Sequence, residues 1–160
     1  MKKTLIVLLI VSSVNSKVLP YLSPGIILSW NTQKKVSASW KISAGIFKPV
    51  DYGKIEGYLL NVTYGKRYLL DDASKDYLFT ELEAGLLSGI VFYGFGAGTA
   101  YVKKDDKIRV VPKGSLFAGW FLFLRSDIVR YDHKFDIDIG GNIVLPITEL
   151  IFADKENDNF

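Results

Sequence analysis

Residues 36–47 alternate strictly. Val36, Ala38, Trp40, Ile42, Ala44 and Ile46 share one parity, and Ser37, Ser39, Lys41, Ser43, Gly45 and Phe47 share the other. A period of two sustained over that length specifies a strand with one apolar face and restricts what the chain can fold into. Residues 135–147 repeat the pattern in opposite parity. There Phe135, Ile137, Ile139, Ile143, Leu145 and Ile147 share a face, and Asp136, Asp138, Gly140 and Asn142 share the other. Further strand segments are expected at 21–30, 55–70, 76–87, 90–102 and within 107–131. Between them lie turn-like breaks at 31–35, 49–54, 71–76, 88–89, 103–106 and 131–134. No segment holds a helical period, and the connections are too short for crossovers. The expectation is an all-β, antiparallel, up-and-down arrangement.

Length bounds the strand number. The 160 residues fit one domain. Residues 1–16 pair a basic start, Met1-Lys2-Lys3, with an apolar run from Thr4 to Val11 and a small polar segment ending at Ser16. This is the layout of a secretory signal peptide, and the run is too short for a spanning helix. The expected division is a signal peptide at 1–16, a β-barrel domain at 17–152 and a polar tail at 153–160. About eight strands fit the barrel portion, and Gly25, Gly45, Gly65 and Gly85 recur at a spacing of 20, as one strand per repeat would. Seven strands are distinct. The eighth comes either from a split of 107–131 around Arg125-Ser126-Asp127 or from the segment beginning at Lys17.

Turn position predicts register. A two-residue turn at Ser88-Gly89 pairs Leu87 with Ile90, and its odd pairing sum moves the inward parity from odd to even. It sets Glu83 opposite Gly94, Glu81 opposite Gly96 and Phe79 opposite Gly98. A turn centred within 71–76 sets Arg67 opposite Glu81 and Thr63 opposite Gly85, which makes Arg67 and Glu81 a candidate interior ion pair.

Which face meets solvent decides the class. A soluble barrel hides its apolar face, whereas a membrane barrel turns it to lipid and encloses the polar one. Three features favour the second arrangement. The polar face is rich in Gly, Ser and charges of both signs. Trp30, Tyr58, Tyr68 and Tyr101 lie on the apolar face near strand ends, where an aromatic girdle belongs. Most strand segments also reach the roughly 9–11 residues that a tilted spanning strand requires. The expected lumen network is Lys41, Asn61, Arg67, Glu81, Glu83, Asp136 and Asp138, with Arg109 as a further cation. The alternative is a secreted or periplasmic lipocalin-like barrel that binds a small apolar ligand. In that case Trp40, Ile42, Tyr93 and Phe95 line its pocket, and Lys41 and Glu81 face water.

With its signal-like start, GIILSW, VSASWKISAGIF, YLLNVTYGKRYL and FDIDIGGNIVLPI, the chain resembles small bacterial outer-membrane barrels of the OmpA or OmpX type. That resemblance implies an eight-stranded transmembrane barrel in the bacterial outer membrane, with the lipid bilayer and the barrel-assembly machinery as partners. It also implies a final strand closing on an aromatic residue, for which Phe152 and the C-terminal Phe160 are the candidates. The implied role is structural or surface-facing.

Motifs for chemistry are sparse. There is no Cys, which excludes disulfides and Cys-based metal sites. His133 is the single histidine and lies in an expected turn, without the neighbours a catalytic base needs. Glu81 and Glu83 lie two apart on one face, as an acid pair could, but a structural ion network with Arg67, Lys41 or Arg109 is the favoured reading. Asp127, Asp132, Asp136 and Asp138 could offer oxygens to a hard cation such as calcium, which takes six to eight, but lumen-facing charges are the favoured reading. Gly94-Phe95-Gly96-Ala97-Gly98 lacks the spacing and the following helix of a nucleotide loop. A net charge of +3 is too weak a field for nucleic-acid binding. No cofactor or metal is expected and no catalysis, with a lipid-modifying barrel enzyme as the last-ranked alternative.

Overall fold

The computed structural model describes residues 18–145 apart from 34, 52–53, 105–106, 121 and 132–133. Eight strands close into one antiparallel barrel in sequence order, and β8 pairs with β1. They are β1 (Leu19–Asn31), β2 (Val36–Asp51), β3 (Lys54–Leu69), β4 (Tyr77–Ser88), β5 (Val91–Lys104), β6 (Lys107–Gly119), β7 (Leu122–Tyr131) and β8 (Lys134–Val144). Closure leaves no unpaired sheet edge, so the backbone is satisfied strand to strand. The β1–β2, β3–β4, β5–β6 and β7–β8 connections share one end of the barrel, called here the turn end. The chain enters and leaves at the other end.

Register fixes the dimensions. Opposed residues followed once round the barrel run Trp30, Ile139, Ser126, Leu116, Phe95, Ala84, Leu60, Ile46 and Pro20, a return to β1 ten residues lower. Eight strands with a stagger of ten tilt about 41° and give a radius of about 8 Å, for a rise of about 3.3 Å per residue and a strand spacing of about 4.8 Å.

Two hairpins depart from the expected register. In β4–β5 the turn residues are Gly89 and Ile90, and Ser88 pairs with Val91. Gly89 takes φ +59°, a left-handed conformation that glycine adopts without steric cost. The odd sum survives and the parity switches as expected, but every pair moves by two. Glu83 faces Gly96, Glu81 faces Gly98 and Phe79 faces Ala100. In β3–β4, Arg67 faces Tyr77 and Thr63 faces Glu81. The expected Arg67–Glu81 pairing is therefore wrong. The connection there is a folded unit: Asp72 accepts from the Ser74 amide (3.2 Å) and hydroxyl (2.5 Å), and the Leu69 amide donates to Asp76 (2.9 Å).

The split of 107–131 also falls elsewhere. It lies between Gly119 and Leu122, while Arg125, Ser126 and Asp127 sit inside β7. Gly119 has φ +154°, and a Cβ there would lie 2.2 Å from the Leu122 carbonyl oxygen, so glycine is required where the chain reverses.

Polarity is inside out. Ile42 and Val62 are 47% and 61% exposed on the outer surface, whereas Lys41 and Glu81 are 6% and 2% exposed in the interior. Tyr93 and Phe95 are exposed outside as well, and Trp40 packs edge-on against outward Tyr64 at 5.6 Å. The expectation that Trp40, Ile42, Tyr93 and Phe95 line a soluble barrel's pocket is therefore overturned: their strand parity sends them away from the lumen.

Candidate functional site: the ionic lumen

Inward parity brings charges from four strands, β2, β4, β6 and β7, to the middle of the tube. Arg125 on β7 donates to Glu81 (2.6 Å), Glu83 (2.6 Å) and Asp127 (3.0 Å). Lys113 on β6 pairs with Glu81 (2.9 Å) and with Asp127. Lys41 on β2 reaches Glu83 at 3.3 Å, and the Asn61 amide donates to Glu83 at 2.8 Å. The central cluster holds three cations, Lys41, Lys113 and Arg125, and three anions, Glu81, Glu83 and Asp127, all buried. Bringing a lone ion out of water costs several kcal/mol, so equal numbers in mutual contact are what such burial demands.

A second cluster lies toward the turn end. Arg67 donates to Asp138 at 2.8 Å from its Nη2 and approaches it at 2.6 Å from its Nε. Asp136, half-buried, lies 3.6 Å from Arg67. Between the two clusters sits an apolar wedge of Tyr77, Phe79, Ala100, Val102 and Val129. Arg67 stacks on Tyr77 (5.2 Å), and the Lys113 ammonium lies over Phe79 (4.6 Å), so each ionic group rests one flank on an aromatic ring.

Glycines make room for these side chains. A Cβ on Gly65 would fall 2.5 Å from the Phe79 ring, and one on Gly96 would fall 2.5 Å from Ser115 Oγ and 3.0 Å from Glu83. Toward the chain-entry end the lumen narrows on an aromatic stack. Phe47 meets Phe92 at 6.0 Å, Phe92 meets Phe123 at 6.3 Å, and Phe123 meets Phe117 at 6.2 Å.

Lys41, Asn61, Arg67, Glu81, Glu83, Asp136 and Asp138 all lie on the inward parity, divided between the two clusters. Arg109 is exposed near the start of β6, and Lys113, two inward positions deeper on the same strand, is buried in the interior. Sequence reasoning missed Lys113 and Arg125, and named Asp127 only beside Asp136 and Asp138, without its cationic partners. Their signal was parity within β6 and β7, hidden for β7 because Arg-Ser-Asp reads locally as a turn. Trp30, Tyr58, Tyr68 and Tyr101 are exposed on the outer surface. Trp30, Tyr68 and Tyr101 lie toward the turn end, and Tyr58, with Tyr93 and Trp120, lies toward the other. From Tyr58 to Tyr68 is ten residues along β3, which at the tilt above spans about 25 Å along the barrel axis, the height of a membrane barrel's apolar band. Within this band Lys66 folds over the Tyr68 ring at 4.5 Å, and outward Thr80 and Thr99 satisfy each other at 3.2 Å.

Among the described residues no His/Asp/Glu group could hold a metal ion. His133, residues 1–16, Phe152 and the tail at 153–160 lie outside the described residues. No family model and no curated protein matches the chain. Among solved structures, one from "De novo design of transmembrane beta-barrels" is similar with a TM-score of 0.41 and 17% identity over 78% of this chain and 95% of that one. The barrel itself rests on the strand pairing, which closes without reference to that likeness.

Proposed function

We propose that this chain is an integral outer-membrane β-barrel with a structural or surface-interaction role, non-catalytic, its lumen filled by side chains. The observation that carries the reading is the inversion of polarity. A charge-balanced ionic cluster of three cations and three carboxylates occupies the centre of the tube, and an apolar band about 25 Å tall, edged by aromatics, covers the outside. In water such a surface would aggregate; against hydrocarbon it is the low-energy arrangement. A barrel of this radius has space only for its own inward side chains, and the Phe47–Phe92–Phe123–Phe117 stack obstructs one end, so no wide diffusion pathway runs through it. The short connections at the turn end suit a compact surface better than a large adhesin or a lid.

Fractionation tests this. The full-length protein is expected in the membrane pellet after alkaline carbonate washing, released only by detergent. Its unheated band on a gel should migrate differently from its boiled band. Recovery in the soluble periplasm or medium, with no heat-dependent shift, refutes the proposal.

A further inference from the structure

We infer that the outer face of β6–β8 binds one anionic phospholipid, its phosphate on Arg130 and an acyl chain in the groove beneath; this rests on the membrane reading above. Among the described outward positions of these three strands, Arg130 carries the one ionised side chain. Its guanidinium lies 6.0 Å from the ring centroid of Phe135, its partner across β8. No outward carboxylate on these strands competes for it. A guanidinium presented at the membrane–water boundary beside an aromatic ring is matched to a phosphate, which it can engage through two parallel N–H donors.

Below Arg130 the apolar surface is notched. A groove of about 550 Å³ is lined by Tyr93, Phe95, Leu116, Ala118, Leu124 and Ile139, with Ser126 at its upper edge. Register explains the notch. Ala118 lies between Tyr93 and Leu124, and Ser126 between Leu116 and Ile139, so each small side chain is flanked by bulky ones. Ser126 is four residues below Arg130 on β7, about 13 Å along the strand. That separation leaves room for a glycerol backbone between a phosphate at the guanidinium and methylenes in the groove. The ligand class is a lipid of net negative headgroup charge, because a zwitterionic headgroup carries its own cation and gains less from Arg130.

The test is native mass spectrometry of the full-length detergent-solubilised protein titrated with phosphatidylglycerol and phosphatidylcholine of equal chain length. The first retained lipid should favour phosphatidylglycerol several-fold. Arg130→Gln should abolish that preference while leaving some lipid bound. Ala118→Phe, which fills the notch, should reduce retention of both lipids, and Ser126→Leu does the same service if Ala118→Phe lacks the heat-dependent gel shift. Lys48→Gln, at the opposite rim, should change nothing. Equal retention of the two lipids by the wild type, or a preference that survives Arg130→Gln, overturns the proposal. A wild-type protein that is soluble without detergent refutes the membrane reading itself, a separate outcome.

Discussion

Replacing Arg125 with Met removes the cation that ties the central cluster together. The side chain is buried and holds three carboxylates, at 2.6 Å, 2.6 Å and 3.0 Å. After its loss Lys41 and Lys113 face Glu81, Glu83 and Asp127, one anion in excess among buried groups. Breaking a buried pair by deleting one partner costs about 3–5 kcal/mol, which is two to four decades in the folding equilibrium at about 1.4 kcal/mol per decade. Adding Glu83→Gln restores the balance at two against two. The double variant should be more stable than Arg125→Met alone, with a coupling of about 1–3 kcal/mol. Equilibrium unfolding in urea from lipid vesicles, followed by the fluorescence of Trp30, Trp40 and Trp120, measures both quantities. If Arg125→Met unfolds within about 0.5 kcal/mol of the wild type, the range of ordinary surface changes, the interior is screened by water and the ionic-lumen argument fails.

Other perturbations probe other parts of the fold. Leu82→Arg places a charge on the outer face near mid-band and should cost about 2–4 kcal/mol in the same vesicle assay, whereas a soluble barrel would tolerate it. Gly98→Val puts a Cβ 1.9 Å from the Thr80 carbonyl oxygen and 2.7 Å from Glu81 Cα; because the clash is with β4 backbone it should cost at least about 1–3 kcal/mol and weaken the folded gel band. At the turn end the Ser74 hydroxyl and amide hold the Asp72 carboxyl below its usual range. Ser74→Ala should move its titration, followed by NMR, upward toward the ordinary value, and the stabilisation of that turn should be lost as pH falls through the depressed pKa.

Alternation was legible because each strand has two different faces. Val36–Ile46 shows it without interruption and Phe135–Ile143 with one break at Gly141, and the parity change from Glu83 to Gly96 follows from an odd pairing sum. Turn centres were less legible. The β3–β4 connection is tightened by Asp72 and Asp76 bonding to nearby amides, and propensity does not reveal which residue begins the ladder. Two residues of error there separated Arg67 from Glu81 and gave it to Asp138, a partner 71 positions away. The β6–β7 break escaped notice because Gly119-Trp120-Phe121 is apolar, as a turn at a membrane boundary can be. Arg125-Ser126-Asp127 looked like a turn because its charges are destined for an interior that local sequence does not announce.

The same inversion explains why the ions are there at all. A soluble strand finds its register by hiding apolar side chains, but Leu78, Leu82, Leu86 and their neighbours face outward, where a two-residue slip exchanges one apolar contact for another at little cost. The outer face therefore discriminates weakly between registers that share the same parity. The inner face discriminates strongly. A slip of two between β4 and its neighbours would take Phe79 off Gly65 and Glu81 off Gly98, the positions that leave room for them, and would part Glu81 and Glu83 from Arg125. Arg125 on β7 bridges to β4, Lys41 on β2 to β4, and Arg67 on β3 to β8. Each bond joins strands that are not neighbours in the sheet, so it holds the cross-section as well as the register. Charges that add little net stability can still select one register among many, because each wrong register leaves an ion buried without its partner.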